Sequence, residues 1–298
     1  MSEKVEDKIV NLLISEYILL PALEKSLIDS NVATRHNKGS SFAFDLTLKY
    51  INKLSYFNRE IYVLKIDIKK YFYNIDHKIC MNMLEKKIKD KKVLKIIKDV
   101  LDTTNLPYVN KEIENLKQKE INRIKHLNIS EREKELKIDE ISKVPLYYNG
   151  KGLPIGNMTS QILAIFYLNE VDHYIKEKLG FKNYIRYMDD LIILDVDKEK
   201  LKYCYEQVKN KLLDFKLEVN NKSKIYKLSN GFSFLGYKFQ LKQNKFLIRY
   251  NVKTPRRIMK RLKKLKKYDY NMYLKSKGSY KGFLERCNTS LYEKIMNI

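Results

Sequence analysis

The chain has 298 residues, 44% apolar and 12% aromatic, which is enough for a full core and excludes a wholly disordered protein. Nine glycines and five prolines exclude a fibrous or loop-rich protein. Three cysteines, Cys80, Cys204 and Cys287, are too far apart for a disulfide framework or a structural zinc site, so a reducing, cytoplasmic home is expected.

Sixty basic against 36 acidic residues leave a net charge of +24. A polyanionic partner is expected, nucleic acid first. An AT-rich genome would also load the chain with lysine, but it would not explain the placement. From Leu241 to Ile298 there are 17 Lys/Arg and 3 Asp/Glu, a net +14 and more than half of the excess.

The start, MSEKVEDK, is acidic and lacks the apolar core of a targeting peptide. Residues 4–30 predict one or two amphipathic helices broken near Pro21. Their apolar run is interrupted by Asn11, Ser15 and Glu16, so no membrane partner is expected. Residues 41–57 predict a helix, and the β-branched run Ile61–Ile68 a buried strand. Ile79–Leu101 predicts a helix with Leu84, Ile88, Leu94, Ile97 and Leu101 near one face. Residues 110–142 carry 8 Lys/Arg and 8 Asp/Glu, a solvated helix pair rather than a nucleic-acid surface. A Gly-rich loop, 150–156, leads into a helix over 159–179. Asn183–Leu194 predicts a hairpin turning at Met188-Asp189, and Leu201–Leu213 a helix. A second hairpin is expected from strands at Phe232–Phe239 and Phe246–Tyr250. Pro255 then opens a basic helix to about Tyr268. Strands single or in hairpins, with helices between, make an α+β layout.

Within this layout the acidic residues carry the chemistry. Asp67 stands in the apolar strand VLKIDI, where a carboxylate is costly unless it meets a cation or a partner. A structural aspartate at a strand end is the simpler reading of Asp67 alone. Asp189 and Asp190 are adjacent at a hairpin tip and repel each other unless a cation neutralises them. Were the two strands neighbours, Asp67 and Asp189 would face one point. Carboxylates from separate strands on a basic protein suit a two-metal site for nucleotidyl transfer. Magnesium is the expected ion, two per site, because oxygen donors and substrate phosphates are its preferred shell.

Five ordered motifs then carry a resemblance over about residues 30–298. They are IDIKKYF at 66–72, GLPIGNMTSQ at 152–161, YMDD at 187–190, NNKSKI at 220–225 and FLGY at 234–237. The chain resembles reverse transcriptases. The resemblance implies a right-hand polymerase with fingers, a palm of antiparallel sheet packed on helices, and a small helical thumb. Fingers and palm would interleave over 1–240, with the charged insertion near 110–142, and 241–298 would form the basic thumb.

It also implies roles. Asp67 and Asp189 would bind both metals, Asp190 would support them, and the Ile68 carbonyl would be a further ligand. Phe72 matches the steric gate against a ribose 2′-hydroxyl, where plain core packing is the alternative. Lys222 matches the general acid to pyrophosphate. Arg35 and Lys38, in ATRHNKG, match the segment that holds the triphosphate. Ile155, Gly156 and Gln161 would line the nucleotide site. Phe234, Leu235, Gly236 and Tyr237 would form the primer grip, and Arg256, Arg257, Lys260 and Lys264 would track phosphates.

The second motif departs from the retroviral and group II intron form, where glutamine precedes the glycine and Ser-Pro ends the motif. Here Ile155 precedes Gly156 and Ser160-Gln161 follows. This form resembles reverse transcriptases of diversity-generating retroelements and related bacterial enzymes, some used against phage. The implied partners are an RNA template, a dedicated non-coding RNA among the candidates, dNTPs and the cDNA product. An accessory protein or self-association is a further expectation. Two other readings stand beside these. The intact Asp67, Asp189 and Asp190 speak against a catalytically idle RNA-binding scaffold. An RNA-dependent RNA polymerase typically carries a second aspartate where this chain has Tyr71 and Phe72.

Overall fold

A computed structural model describes residues 5–57, 59–242, 245–250, 253–287 and 293. Helix α1 (Val5–Ile14) runs through a π-helical stretch, Ser15–Leu19, into α2 (Leu20–Leu23). Pro21 follows directly on the π-helical stretch and the run stays helical through it to Leu23, so in place of the expected break there is a locally widened turn. Helix α3 (Ser40–Ser55) precedes strand β1 (Tyr62–Asp67). The next helices are α4 (Tyr71–Asn74), α5 (His77–Glu85) and α6 (Lys91–Asp102). The single helix expected over 79–101 is thus two, because Asp90 accepts from the backbone N–H of Lys92 and Val93 and starts a new one. The apolar period survives the break: Leu84, Ile88, Ile97 and Leu101 are buried.

The charged insertion forms α7 (Pro107–Lys125) and α8 (Glu131–Ser142), the latter opened by a Ser130 cap on Glu133. Helix α9 (Met158–Tyr167) is buried almost all round and is continued by α10 (Asn169–His173). Strands β2 (Tyr184–Tyr187) and β3 (Asp190–Asp195) make the expected hairpin, followed by α11 (Lys198–Leu213) and β4 (Lys224–Lys227). Then come β5 (Phe232–Phe234), β6 (Tyr237–Lys242) and β7 (Lys245–Tyr250), and the basic helices α12 (Lys253–Tyr268) and α13 (Tyr270–Leu284).

The fold is α+β. One sheet has the order β2-β3-β1-β4 and the other β5-β6-β7. Strand β1 pairs antiparallel with β4, Leu64 opposite Ile225. The strand expected over 232–239 is two, because Leu235 (φ 49) and Gly236 (φ 85) form a two-residue turn with both φ positive.

The chain forms two compact units. The first holds Met1–Gly39, Ile66–Leu191 and Cys204–Ser223; the second holds Ser40–Lys65, Ile192–Tyr203 and Lys224–Ile298. The second unit has an aromatic core in which Phe44 lies 4.8 Å from Tyr237 and 5.4 Å from Phe239. Among the described residues no helix is long and apolar enough to cross a membrane.

Candidate active site

Asp67 closes β1, with its neighbours Ile66 and Ile68 buried on the opposite face and its own side chain half-buried. Its backbone is fixed on one edge. The Asp67 N–H donates to Ser223 Oγ (2.9 Å), and the Asn220 N–H donates to the Asp67 carbonyl (2.7 Å). The Lys69 N–H donates to the Glu218 carbonyl (2.9 Å). Ile68 therefore sits between two ladder bonds that face the 218–220 segment, and its own carbonyl points to the other edge, where β3 lies. The fourth motif, NNKSKI, thus grips the first through Ser223. The Lys222 side chain is exposed on the same turn.

The second acidic group comes from the β2–β3 hairpin. Met188, at its turn, has φ 55, a left-handed conformation that a non-glycine residue adopts at a cost of about 1–2 kcal/mol. Asp189 follows it and Asp190 opens β3, both half-buried. Asp189 acts electrostatically on the Tyr71 hydroxyl, four residues beyond Asp67. The hairpin tip and the chain just past β1 meet at α9: Tyr71 donates to the Ala164 carbonyl, and Arg186, which donates to the Met188 carbonyl at the turn, donates also to the next carbonyl, Ile165. Burial raises the Tyr71 pKa well above its ordinary value, against the lowering effect of the Arg186 charge, and its hydroxyl donates to the Ala164 carbonyl (2.5 Å).

Among the described residues no three His, Cys, Asp or Glu side chains make a ready metal cage. The donors at hand are carboxylates from two neighbouring strands and the Ile68 carbonyl, all hard oxygens. They fit a divalent cation of the magnesium kind, whose remaining positions water and substrate phosphates fill. Reverse transcriptase domains generally use divalent metals.

Phe72 is half-buried in α4, its ring edge-on to Tyr71 at 5.8 Å, and its carbonyl accepts from the Leu153 N–H (2.7 Å). That bond joins the candidate gate to the loop of the second motif. On this loop Ile155 is exposed (55%) and Gly156 has φ 112. Gln161 lies one turn into α9, where its side-chain oxygen accepts from the Thr34 hydroxyl (3.3 Å). Asn110 ties the insertion to the same loop, accepting from the Tyr147 N–H and donating to the Tyr147 carbonyl, both at 2.9 Å.

The segment ATRHNKG turns twice, at Thr34 (φ 53) and Asn37 (φ 58). It carries Arg35 inward. The guanidinium meets Glu24 at 2.6 Å and donates to the Ile28 and Asn31 carbonyls. Its side chain is 4% exposed, so here it holds the segment's shape and points no free fork at a phosphate. Lys38 donates to the Asp29 carbonyl (2.7 Å) and pairs with its carboxylate at 3.3 Å.

Phe234, Leu235, Gly236 and Tyr237 form the β5–β6 turn of the second unit, with both aromatic rings buried. On α12, Ile258 and Leu262 are buried while Arg256, Arg257, Lys260 and Lys264 are exposed, as the amphipathic pattern predicts.

One residue of the site escaped the sequence reading. Arg186, in β2, is fully buried and pairs with Asp172, also fully buried, at 2.6 Å. Burial disfavours its charge, but the Asp172 carboxylate outweighs this and keeps the guanidinium pKa above its ordinary value. The signal is an arginine three residues before Asp189, inside an apolar strand.

The profile of the reverse transcriptase (RNA-dependent DNA polymerase) family matches residues 5–239. The chain belongs to the reverse transcriptase family, whose enzymes are nucleotidyltransferases. No curated protein matches it. Among solved structures, telomerase from Candida tropicalis in complex with a TWJ fragment of telomeric RNA is similar over 96% of this chain and 44% of that one, at 15% identity and a TM-score of 0.52. The apo telomerase of the same organism is similar over 81% of this chain and 40% of that one, at 16% identity and a TM-score of 0.50. These likenesses concern the fold, and the chain spans less than half the length of those telomerases.

Proposed function

We propose that the protein copies an RNA template into cDNA by two-metal nucleotidyl transfer. The observation that supports this reading is that Asp67 closes β1 and Asp190 opens β3, neighbouring strands of one sheet, within a reverse transcriptase domain. Asp67, Asp189 and the Ile68 carbonyl hold two Mg²⁺, with Asp190 in support. When bound, the cations acidify the primer 3′-hydroxyl and neutralise the triphosphate and the leaving oxygen. Lys222, exposed beside Asp67's backbone clamp, delivers a proton to pyrophosphate. Lys38 exchanges Asp29 for a phosphate, and Arg35 keeps segment 34–38 in shape for it. Phe72 bars a ribose 2′-hydroxyl, and Ile155, Gly156 and Gln161 line the nucleotide. The 234–237 turn and the exposed cations of α12 hold the primer–template duplex.

A primed RNA template with dNTPs tests this reading. Extension should require a divalent cation and should prefer dNTPs over rNTPs. A chain that binds RNA yet extends no primer under any divalent cation would be a scaffold, and the proposal would fall.

Within the family we assign the protein to the diversity-generating branch, on the residue at position 155. Ile155 is exposed and apolar beside Gly156 and makes no hydrogen bond with its side chain. A polar residue there would add about 0.5–1.5 kcal/mol to a correct base pair, roughly a two- to thirteenfold gain in discrimination. Elevated misincorporation is therefore expected, and Ile155→Gln should lower it. Sequencing of cDNA made on a defined RNA provides the check. Equal, low error rates in both proteins would favour the phage-defence reading, in which a non-coding RNA serves as template.

A further inference from the structure

Arg186 has no access to water, so each nitrogen of its guanidinium must find a partner inside the protein. The Asp172 carboxylate takes Nε (2.7 Å) and Nη2 (2.6 Å), and the Tyr184 hydroxyl donates to the same carboxylate (2.6 Å). A counter-ion would satisfy the charge without further contacts. The remaining donors instead reach two carbonyls. Nη2 donates to Ile165 in α9 (2.6 Å), and Nη1 donates to Met188 (3.1 Å). Met188 is the left-handed residue of the hairpin turn, immediately before Asp189. A turn whose first central residue is methionine does not hold φ 55 by its own preference, and this guanidinium supplies an external hold.

The backbone of Arg186 adds a third connection. Its N–H donates to the Ser30 carbonyl (2.9 Å), and its carbonyl accepts from the Val32 N–H (3.0 Å). Segment 30–32 thereby pairs with β2 and leads into Thr34–Lys38. The Asn31 side chain donates to the same Ile165 carbonyl (3.3 Å).

We infer that Arg186, fixed by Asp172, is the positioning residue that sets the Asp189 turn and registers it against α9 and the segment leading to Lys38. It touches neither substrate nor metal. It acts by locking the tip through Nη1 and the neighbouring segment through its backbone. The inference rests on the polymerase reading above.

Arg186→Lys tests it, by single-nucleotide incorporation on a primed RNA template well below each variant's melting temperature. The ammonium keeps a charge opposite Asp172 but cannot span Asp172, Ile165 and Met188 together. The maximal rate should fall about 10- to 100-fold, with the KM for dNTP and the affinity for RNA within about threefold of wild type. Tyr184→Phe removes a hydrogen bond from the same carboxylate without touching the Met188 contact. It should lower the melting temperature and leave the rate per folded molecule unchanged.

Arg186→Met/Asp172→Leu removes both charges together, the change that best spares stability. It should show the same rate loss as Arg186→Lys. Wild-type rates in either Arg186 variant, or an equal loss in Tyr184→Phe, would overturn the inference. Failure of both Arg186 variants to fold would make the residue one of folding alone and overturn it too. A wild-type protein without extension would instead remove the polymerase reading, and this inference with it.

Discussion

Gly152 opens the second motif at a backbone position that strains any side chain. Its φ is +94, and a Cβ built there would lie 2.5 Å from Tyr147 Cδ1, 2.8 Å from Cε1 and 3.4 Å from the Tyr73 carbonyl oxygen. The Tyr147 ring cannot yield freely. It packs 4.9 Å from the Tyr73 ring, its hydroxyl donates to the Leu153 carbonyl (3.0 Å), and Asn110 holds its backbone on both sides. In Gly152→Ala the left-handed backbone costs about 1–2 kcal/mol. Loss of the tyrosine hydrogen bond adds about 0.5–1.5 kcal/mol, and loss of the ring pair a similar amount.

The sum, about 2–5 kcal/mol, should lower the melting temperature by roughly 3–8 °C. Leu153 bonds the Phe72 carbonyl, so the KM for dNTP should rise as well. Thermal melting and steady-state kinetics measure both effects. Tyr147→Ala in the Gly152→Ala background removes the clash, so the two substitutions should combine to less than their sum. A melting temperature within about 1 °C of wild type in Gly152→Ala, or strict additivity in the double variant, would refute the reasoning.

Two further outcomes are expected. Phe72→Ala should admit ribonucleotides far better than wild type in single-nucleotide kinetics, whereas an unmoved dNTP preference would make Phe72 a packing residue only. Neutralising Arg256, Arg257, Lys260 and Lys264 together should weaken duplex binding and flatten its salt dependence by about 0.9 log units per lost phosphate contact, measured by salt titration. An unchanged slope would place those cations in bulk solvent.

The parts of the fold legible in the sequence are those fixed by local pattern. The strand at Asp67, the hairpin at Met188-Asp189, the insertion helices and the amphipathic α12 follow from β-branched density, turn position and apolar spacing. The parts that were not legible depend on partners distant in the chain or on weak turn signals. Leu235-Gly236 lacks the Asn-Gly or Asp-Gly signature of a two-residue turn, so β5 and β6 read as one strand. A sequence cannot tell an arginine facing a ligand from one buried on a carboxylate. Arg35 folds back on Glu24, eleven residues earlier, and Arg186 meets Asp172, fourteen residues earlier. The link between Ser223 and Asp67 spans 156 residues and exists only once β1 and the fourth motif lie side by side.

The proposal turns on the Asp189 carboxylate helping to hold the divalent cations at the site of nucleotidyl transfer. Asp189→Asn keeps the side chain's size and removes only the negative charge. Single-turnover primer extension on an RNA template, read beside the affinity for the same duplex, measures the effect. A rate loss of roughly a thousandfold or more is expected, with affinity nearly unchanged. Extension within about tenfold of wild type would contradict it.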